Sequence, residues 1–338
     1  MISFKNDYST IAHPYVMDKL ISYRDEINEV YGDDYHSDNA KKLIREKIKC
    51  DSDIYFISGG TITNMISISA FLKPYEAVIA VKSGHINVHE TGAVEGQGHK
   101  IIEVDGYDGK IRREDIINVI KKHVDHHMVK PKLVFISNAT EVGSVYTKAE
   151  LKELKDICVK YDLYLYLDGA RLAVSLSASD LSYEDYAKLT DAFYIGGTKI
   201  GAYFGEALVI NNKSLAFEFN YSLKHYGGLL AKGFMAGIAF EALMENNLYY
   251  EIGKEQNEKA KYLSDKLKNI GISFNSNSKT NQIFPILNKK IVDELLKEFS
   301  FEIWDNISDD KIVVRFVTTF KTNYKDMDLL IEKIKSLR

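Results

Sequence analysis

Two segments decide the fold of this chain. The first is Tyr164-Leu165-Tyr166-Leu167-Asp168-Gly169-Ala170-Arg171. The second is Ala192-Phe193-Tyr194-Ile195-Gly196-Gly197-Thr198-Lys199-Ile200-Gly201. Each is an apolar run of strand length that stops on small residues and then presents a charge. Runs of this kind read as strands buried on both faces of a parallel sheet. In an open α/β sheet, ligands sit outside the carboxyl ends of the strands. The two segments therefore offer a carboxylate (Asp168), a guanidinium (Arg171) and an amine (Lys199) to one crevice. An amine that can form a Schiff base, beside a carboxylate that can hold a pyridine nitrogen protonated, is the layout pyridoxal phosphate chemistry needs. Taken singly, Lys199 reads equally as a surface lysine and Asp168 as an ordinary strand end. The combination of both strand ends, each flanked by glycine, favours the cofactor.

The surrounding composition sets bounds. The chain has 338 residues, enough for a large core and two lobes, with 45% hydrophobic and 27% charged residues. A formal net charge of -4 gives no reason to expect nucleic acid or an anionic membrane as partner. No apolar run reaches the roughly 18 residues of a membrane span. The N-terminus lacks the apolar core of a signal peptide. Cys50 and Cys158 make neither a disulfide framework nor a metal site, so the expected address is the cytoplasm.

Upstream, apolar residues at helical spacing predict a helix over Tyr15–Val30, and a second over Ser37–Cys50 capped by Ser37 or Asp38. The short strand Ile54–Ile57 breaks at Ser58-Gly59-Gly60-Thr61 and enters a helix. That turn reads either as a tight connection or as an anion site at a helix N-terminus. His85 follows the strand Ala77–Val81, where it is either a structural residue or a ring lying over a flat cofactor. His126 and His127 adjoin one another, but no further ligand stands at metal spacing, so no metal is expected. Thr147 caps a helix over Ala149–Tyr161.

Downstream, Leu223–Gly228 reads as a turn before a helix over Leu230–Asn246. The composition becomes rich in Lys and Glu beyond Asn246. The expected division is therefore a large domain over 1–246, with an N-terminal arm, and a small C-terminal domain over 247–338. Arg315 lies within the apolar strand Lys311–Phe316, where an unpaired guanidinium is costly. Its partner is either a structural Glu or a substrate carboxylate held by two parallel hydrogen bonds.

Several motifs stand in a telling order: Thr61-x-x-Asn64, His85-Ile86-x-x-x-Glu90-x-Gly92-Ala93, Thr140-Glu141-x-Gly143, Asp168-Gly169-Ala170-Arg171-Leu172-Ala173 and Gly197-Thr198-Lys199-x-Gly201. Together they resemble the threonine aldolase family of pyridoxal phosphate enzymes, from Phe4-x-x-Asp7 to Arg315. The resemblance implies fold type I, the aspartate-aminotransferase-like α/β fold. It implies that Lys199 carries the Schiff base, that Asp168 pairs with the pyridinium nitrogen and that His85 stacks on the ring. It places Gly60, Thr61 and Thr198 on the cofactor, and Asn6, Arg171 and Arg315 at the substrate carboxylate. Lys224 and His127 fall where the family places residues that reach a neighbouring subunit's site, which implies a homodimer or homotetramer.

The chain departs from the family at Asn6 (usually Ser), Lys224 (often Arg), Phe234 (often Arg) and Ile62-Thr63 (usually a small pair). These departures bear on substrate preference. The implied reaction is cleavage of L-threonine or L-allo-threonine to glycine and acetaldehyde, with His85 and His127 as candidate bases. Two rivals remain. One is β-elimination or racemisation on the same scaffold. The other is a non-catalytic binding protein, which the presence of both Lys199 and Asp168 opposes.

Overall fold

The two opening segments become neighbouring parallel strands, Tyr164–Asp168 and Ala192–Gly196, in a computed structural model that describes residues 1–338. They lie inside a seven-stranded sheet. Its spatial order is Asp53–Ile57, Glu206–Ile210, Ala192–Gly196, Tyr164–Asp168, Lys130–Ser137, Glu76–Val81 and Ile101–Val104. Only Glu206–Ile210 runs antiparallel to its neighbours.

The continuous apolar runs follow from burial on both faces. Val134, Ile136, Leu165, Leu167, Phe193 and Ile195 join one core. The alternate residues Leu133, Phe135, Tyr166, Ala192 and Tyr194 join the other. Successive side chains on a strand point to opposite faces, so a strand with two covered faces must be apolar throughout. Helices cover both sides, and the carboxyl ends of the central strands open onto one cleft.

A third core belongs to the C-terminal part. It gathers Leu263, Leu267, Val292, Val314, Phe316 and Leu330 around an antiparallel sheet in which Lys311–Val317 pairs with Ile286–Asn288 and Glu302–Ser308. The N-terminal arm, expected with the large unit, also belongs here. Ile2–Ser3 pairs with Phe299–Ser300, and Phe4 is buried against Phe316. The apolar Phe4 finds its only large hydrophobic surface on that side. Nor does the expected boundary after Asn246 separate two blocks. Leu248–Asn269 is one helix whose first turns, through Tyr249 and Ile252, pack in the large core and whose later turns, through Ala260 and Leu263, pack in the small one.

Local signals held where a side chain closes the helix. Thr147 accepts from Glu150 N while Glu150 accepts from Thr147 N, a capping box opening Lys148–Lys160. The first predicted helix is shorter than its periodicity, ending at Ser22. Ile27 and Val30 are exposed, and Glu26 reaches instead to His36 Nε2 at 2.9 Å. The second helix starts earlier, at Tyr35, because Asp34 rather than Ser37 or Asp38 caps it. Lys224 lies in a helix, Phe219–His225, where a turn was predicted. No helix is long and apolar enough to cross a membrane, and both cysteines are free.

Candidate active site

Asp168 ends its strand with both carboxylate oxygens fixed. Oδ1 accepts from Ala170 N at 2.9 Å and Tyr194 Oη at 2.5 Å, and Oδ2 accepts from Asn64 Nδ2 at 3.0 Å. Asn64 also donates to Glu90 Oε1 at 2.7 Å and accepts from Tyr166 Oη at 3.0 Å. Glu90 Oε1 in turn meets His85 Nδ1 at 2.7 Å. The result is one buried chain of hydrogen bonds from Tyr194 through Asp168, Asn64 and Glu90 to the imidazole.

Ligand atoms of His85, Glu90 and Asp168 lie within 4.8 Å of one another. The Asn64 amide already donates into both carboxylates, so that space holds hydrogen-bond donors where a cation would need bare acceptors. Burial lowers the His85 pKa, but the hydrogen bond to Glu90 and the charges of Glu141 and Asp168 outweigh it, and the imidazole is held above its ordinary value.

The Lys199 amine is half-buried and enters no ion pair; it lies 5.9 Å from the centroid of the Tyr8 ring. Burial, then the Arg171 guanidinium, push its pKa below the ordinary lysine value against the opposing pull of Asp7, Glu141 and Asp168. A larger neutral fraction makes the amine a better nucleophile. Its loop is shaped from below. Glu206 Oε2 accepts from Gly197 N at 2.8 Å, and the Thr198 hydroxyl accepts from Gly205 N at 3.1 Å. A side chain at Gly197 would meet Gly205 O at 2.6 Å and the Phe240 ring at 2.8 Å, so glycine is required there. Thr198, expected on the cofactor, thus spends its hydroxyl on the loop.

The Gly60–Phe71 helix begins at the cleft with no side chain capping its N-terminus. A Cβ on Gly60 would come within 3.1 Å of Tyr194 Oη, the same hydroxyl that holds Asp168. Uncapped N–H groups, a half-buried amine in no ion pair and an anchored carboxylate thus converge, and these fit pyridoxal phosphate. With that cofactor bound, the helix start would hold the anion, Asp168 would face the ring nitrogen and Lys199 would be the covalent anchor.

The two arginines differ. Arg171 gives Nε and Nη2 to the buried Asp7 at 2.7 and 3.1 Å, and Asn281 Nδ2 donates to the same carboxylate at 3.0 Å. Arg171 was expected to hold substrate. Its fork is instead taken by Asp7, because the arm folds into the cleft and a buried guanidinium takes the nearest carboxylate. Arg315 is 8% exposed and has no ion-pair partner. Nη1 donates to Gln282 Oε1 at 3.3 Å and Nε has no acceptor. Of the two partners the strand pattern left open, the structural Glu is absent: Glu302, directly across the ladder, makes no ion pair with Arg315.

Asn6 turns the arm beside Asp7, accepting from Ser9 Oγ at 2.7 Å. Lys224 and His127 are exposed and make no hydrogen bond or ion pair with the residues described above. Lys224 lies 4.3 Å over the Tyr31 ring, and the His127 ring lies tilted against His126 with centroids 4.3 Å apart. Within one chain the site therefore contains neither. The residues without an assigned role in the sequence are Asp7, Asn64, Glu90, Tyr194, Glu206, Gln282 and Trp304. Asp7, Asn64 and Glu90 stood in quoted motifs, where a polar residue of fixed spacing was the available signal.

A family model described as beta-eliminating lyase matches residues 16–290. The low specificity L-threonine aldolase of a Pseudomonas sp. strain is 31% identical over 247 residues, which is 71% of this chain and 70% of that protein. Its counterpart in Pseudomonas aeruginosa is 29% identical over 78% of each chain. A solved threonine aldolase from Leishmania major superposes with a TM-score of 0.98 at 44% identity, covering 100% of this chain and 99% of that one. A histidinol-phosphate aminotransferase from Clostridium acetobutylicum, at 19% identity and a TM-score of 0.74, shares the fold.

Proposed function

The chain belongs to the beta-eliminating lyase family, and from that premise we propose that it is an aldolase cleaving L-threonine and L-allo-threonine to glycine and acetaldehyde. The observation that carries the reading is the pairing, in one cleft, of a half-buried amine on Lys199 that enters no ion pair with an unpaired buried guanidinium on Arg315. When bound, pyridoxal phosphate supplies an electron sink for the pair released as Cα–Cβ breaks.

The chain's own groups do the rest. Lys199 supplies the attacking nitrogen, and its depressed pKa keeps more of it neutral. Asp168, held by three donors, presents its carboxylate at the strand end. Glu90 Oε1 accepts from Asn64 as well as from His85, which supports placing the imidazole proton on Nδ1. Nε2 is then free to take the β-hydroxyl proton. Arg315 binds the α-carboxylate. Relatives named L-threonine aldolase, together with the 44% identical structure, support aldol cleavage over β-elimination.

The assay quantifies glycine and aldehyde from a panel of β-hydroxy-α-amino acids, with serine included. Equal yields of glycine and acetaldehyde from threonine are expected. Ammonia and a 2-oxo acid as main products would replace the reading with elimination.

The working form is a homo-oligomer, dimer or tetramer, with sites shared between subunits. Supporting this, Lys224 and His127 stand on the surface of their own chain, and Phe217 and Tyr221, exposed by 77% each, lie close to Lys224 in sequence. Sedimentation at assay concentration should give a dimer or larger species. A fully active monomer would remove Lys224 and His127 from the site.

A further inference from the structure

Arg315 poses a physical problem that its neighbours solve in an unusual way. A guanidinium taken out of water is normally kept by a carboxylate. A resident acid would occupy the N–H fork and compete with any carboxylate arriving from outside. Here the neighbour over Arg315 is an aromatic face, Trp304, with the guanidinium carbon 4.8 Å from the ring centroid. A ring attracts a cation through its face and takes nothing from the in-plane N–H groups. The charge is thus stabilised while the edge that recognises carboxylates stays free. Nε lacks any acceptor, and only Nη1 is used, by Gln282.

The placement of Trp304 is built into the backbone. On the strand Glu302–Ser308, Ile303 pairs with Val314 and Asp305 with Val313, so Trp304 is the extra residue of a β-bulge. A bulge breaks the strict alternation of side chains and re-aims one of them. Glu302, two residues before Trp304, is the direct cross-strand partner of Arg315. The ring is braced at 5.2 Å by the edge of the buried Phe284. On its other side it meets His89 at 6.3 Å, and His89 meets His85 at 5.5 Å. A row of rings therefore crosses the cleft from the arginine of the small unit to the histidines of the large one.

We infer that Trp304 is a positioning residue for substrate. It holds Arg315 charged, buried and unpaired, so that the guanidinium edge is presented to the α-carboxylate of the amino acid. The inference rests on the reading of Arg315 given above. It adds that carboxylate affinity is set by an aromatic face on a bulged strand.

Trp304 is the single tryptophan of the chain, so its fluorescence reports on this contact. The experiment uses the cofactor-loaded enzyme and three variants, Trp304→Leu, Trp304→Phe and Arg315→Lys, with melting temperature and visible cofactor absorbance as checks on folding and loading. Glycine should change the wild-type tryptophan emission saturably. Trp304→Leu should raise KM for threonine roughly 2- to 30-fold, the range of a desolvated cation–π contact, with little change in kcat. Trp304→Phe should recover part of that loss, since a smaller ring keeps a face.

If Arg315→Lys is impaired while KM in Trp304→Leu stays at the wild-type value, the role of Trp304 is overturned and the reading of Arg315 stands. If Arg315→Lys is itself unimpaired, both fall. Should Trp304→Leu fail to fold, the glycine titration and the Trp304→Phe variant decide. A flat emission, with KM unchanged in Trp304→Phe, overturns the inference.

Discussion

Glu206 shows how a single buried acid supports the chemistry without touching it. It lies beneath the Gly197–Lys199 loop and accepts from Gly197 N at 2.8 Å. Burial pushes its carboxyl up to about 7, against hydrogen bonds from Thr198 and Gly197 and the charge on Lys199. The sign follows from linkage. A carboxyl whose folded pKa is above its ordinary value of 4.5 is harder to ionise in the folded state, so stability falls as pH rises from about 4.5 through about 7. A gap of this size corresponds to something on the order of 3 kcal/mol. Glu206→Gln keeps an oxygen for Gly197 N–H and cannot ionise. Its melting temperature should therefore gain on the wild type as pH is raised from 5 to 8. Parallel curves for the two proteins would show that Glu206 ionises as freely folded as unfolded. Nothing in the sequence marked this residue, because its signal is a contact beneath the loop and not a motif.

At the scale of elements, legibility tracked how local the deciding interaction is. The strands ending in Asp168 and Gly196 were readable because burial on both faces leaves an uninterrupted apolar run. The Lys148–Lys160 helix was readable because its capping box lies within four residues. The segment after Ser22 misled, since Ile27 and Val30 continue a helical spacing that the Glu26–His36 contact overrides. The arm misled for the same reason: Arg171 and Asp7 are 164 residues apart in sequence. Arg315 was flagged as a buried charge in need of a partner. That the partner would be a ring could not be read, because which residue of Glu302–Ser308 comes beside Arg315 is a matter of register between strands.

At the scale of the whole molecule, the fold singles out one lysine among many. Many other lysines are spent on ion pairs, exposed as Lys188 with Glu184 or buried as Lys132 with Asp162. Lys199 is different because the fold pairs it with no acid and sets it, half-buried, between the strand end of Asp168 and the small unit that carries Arg315. That placement needs both cores. The large one fixes the strand ends, and the small one, with the arm laid against it, brings Arg315 and Trp304 to the other side of the cleft. The direct test is to load the protein with pyridoxal phosphate, reduce it with borohydride, and map the labelled peptide by mass spectrometry. The account predicts one pyridoxyl group per chain, on Lys199, and none in Lys199→Ala. A label on a different lysine, or an unlabelled Lys199 in an active preparation, would contradict it.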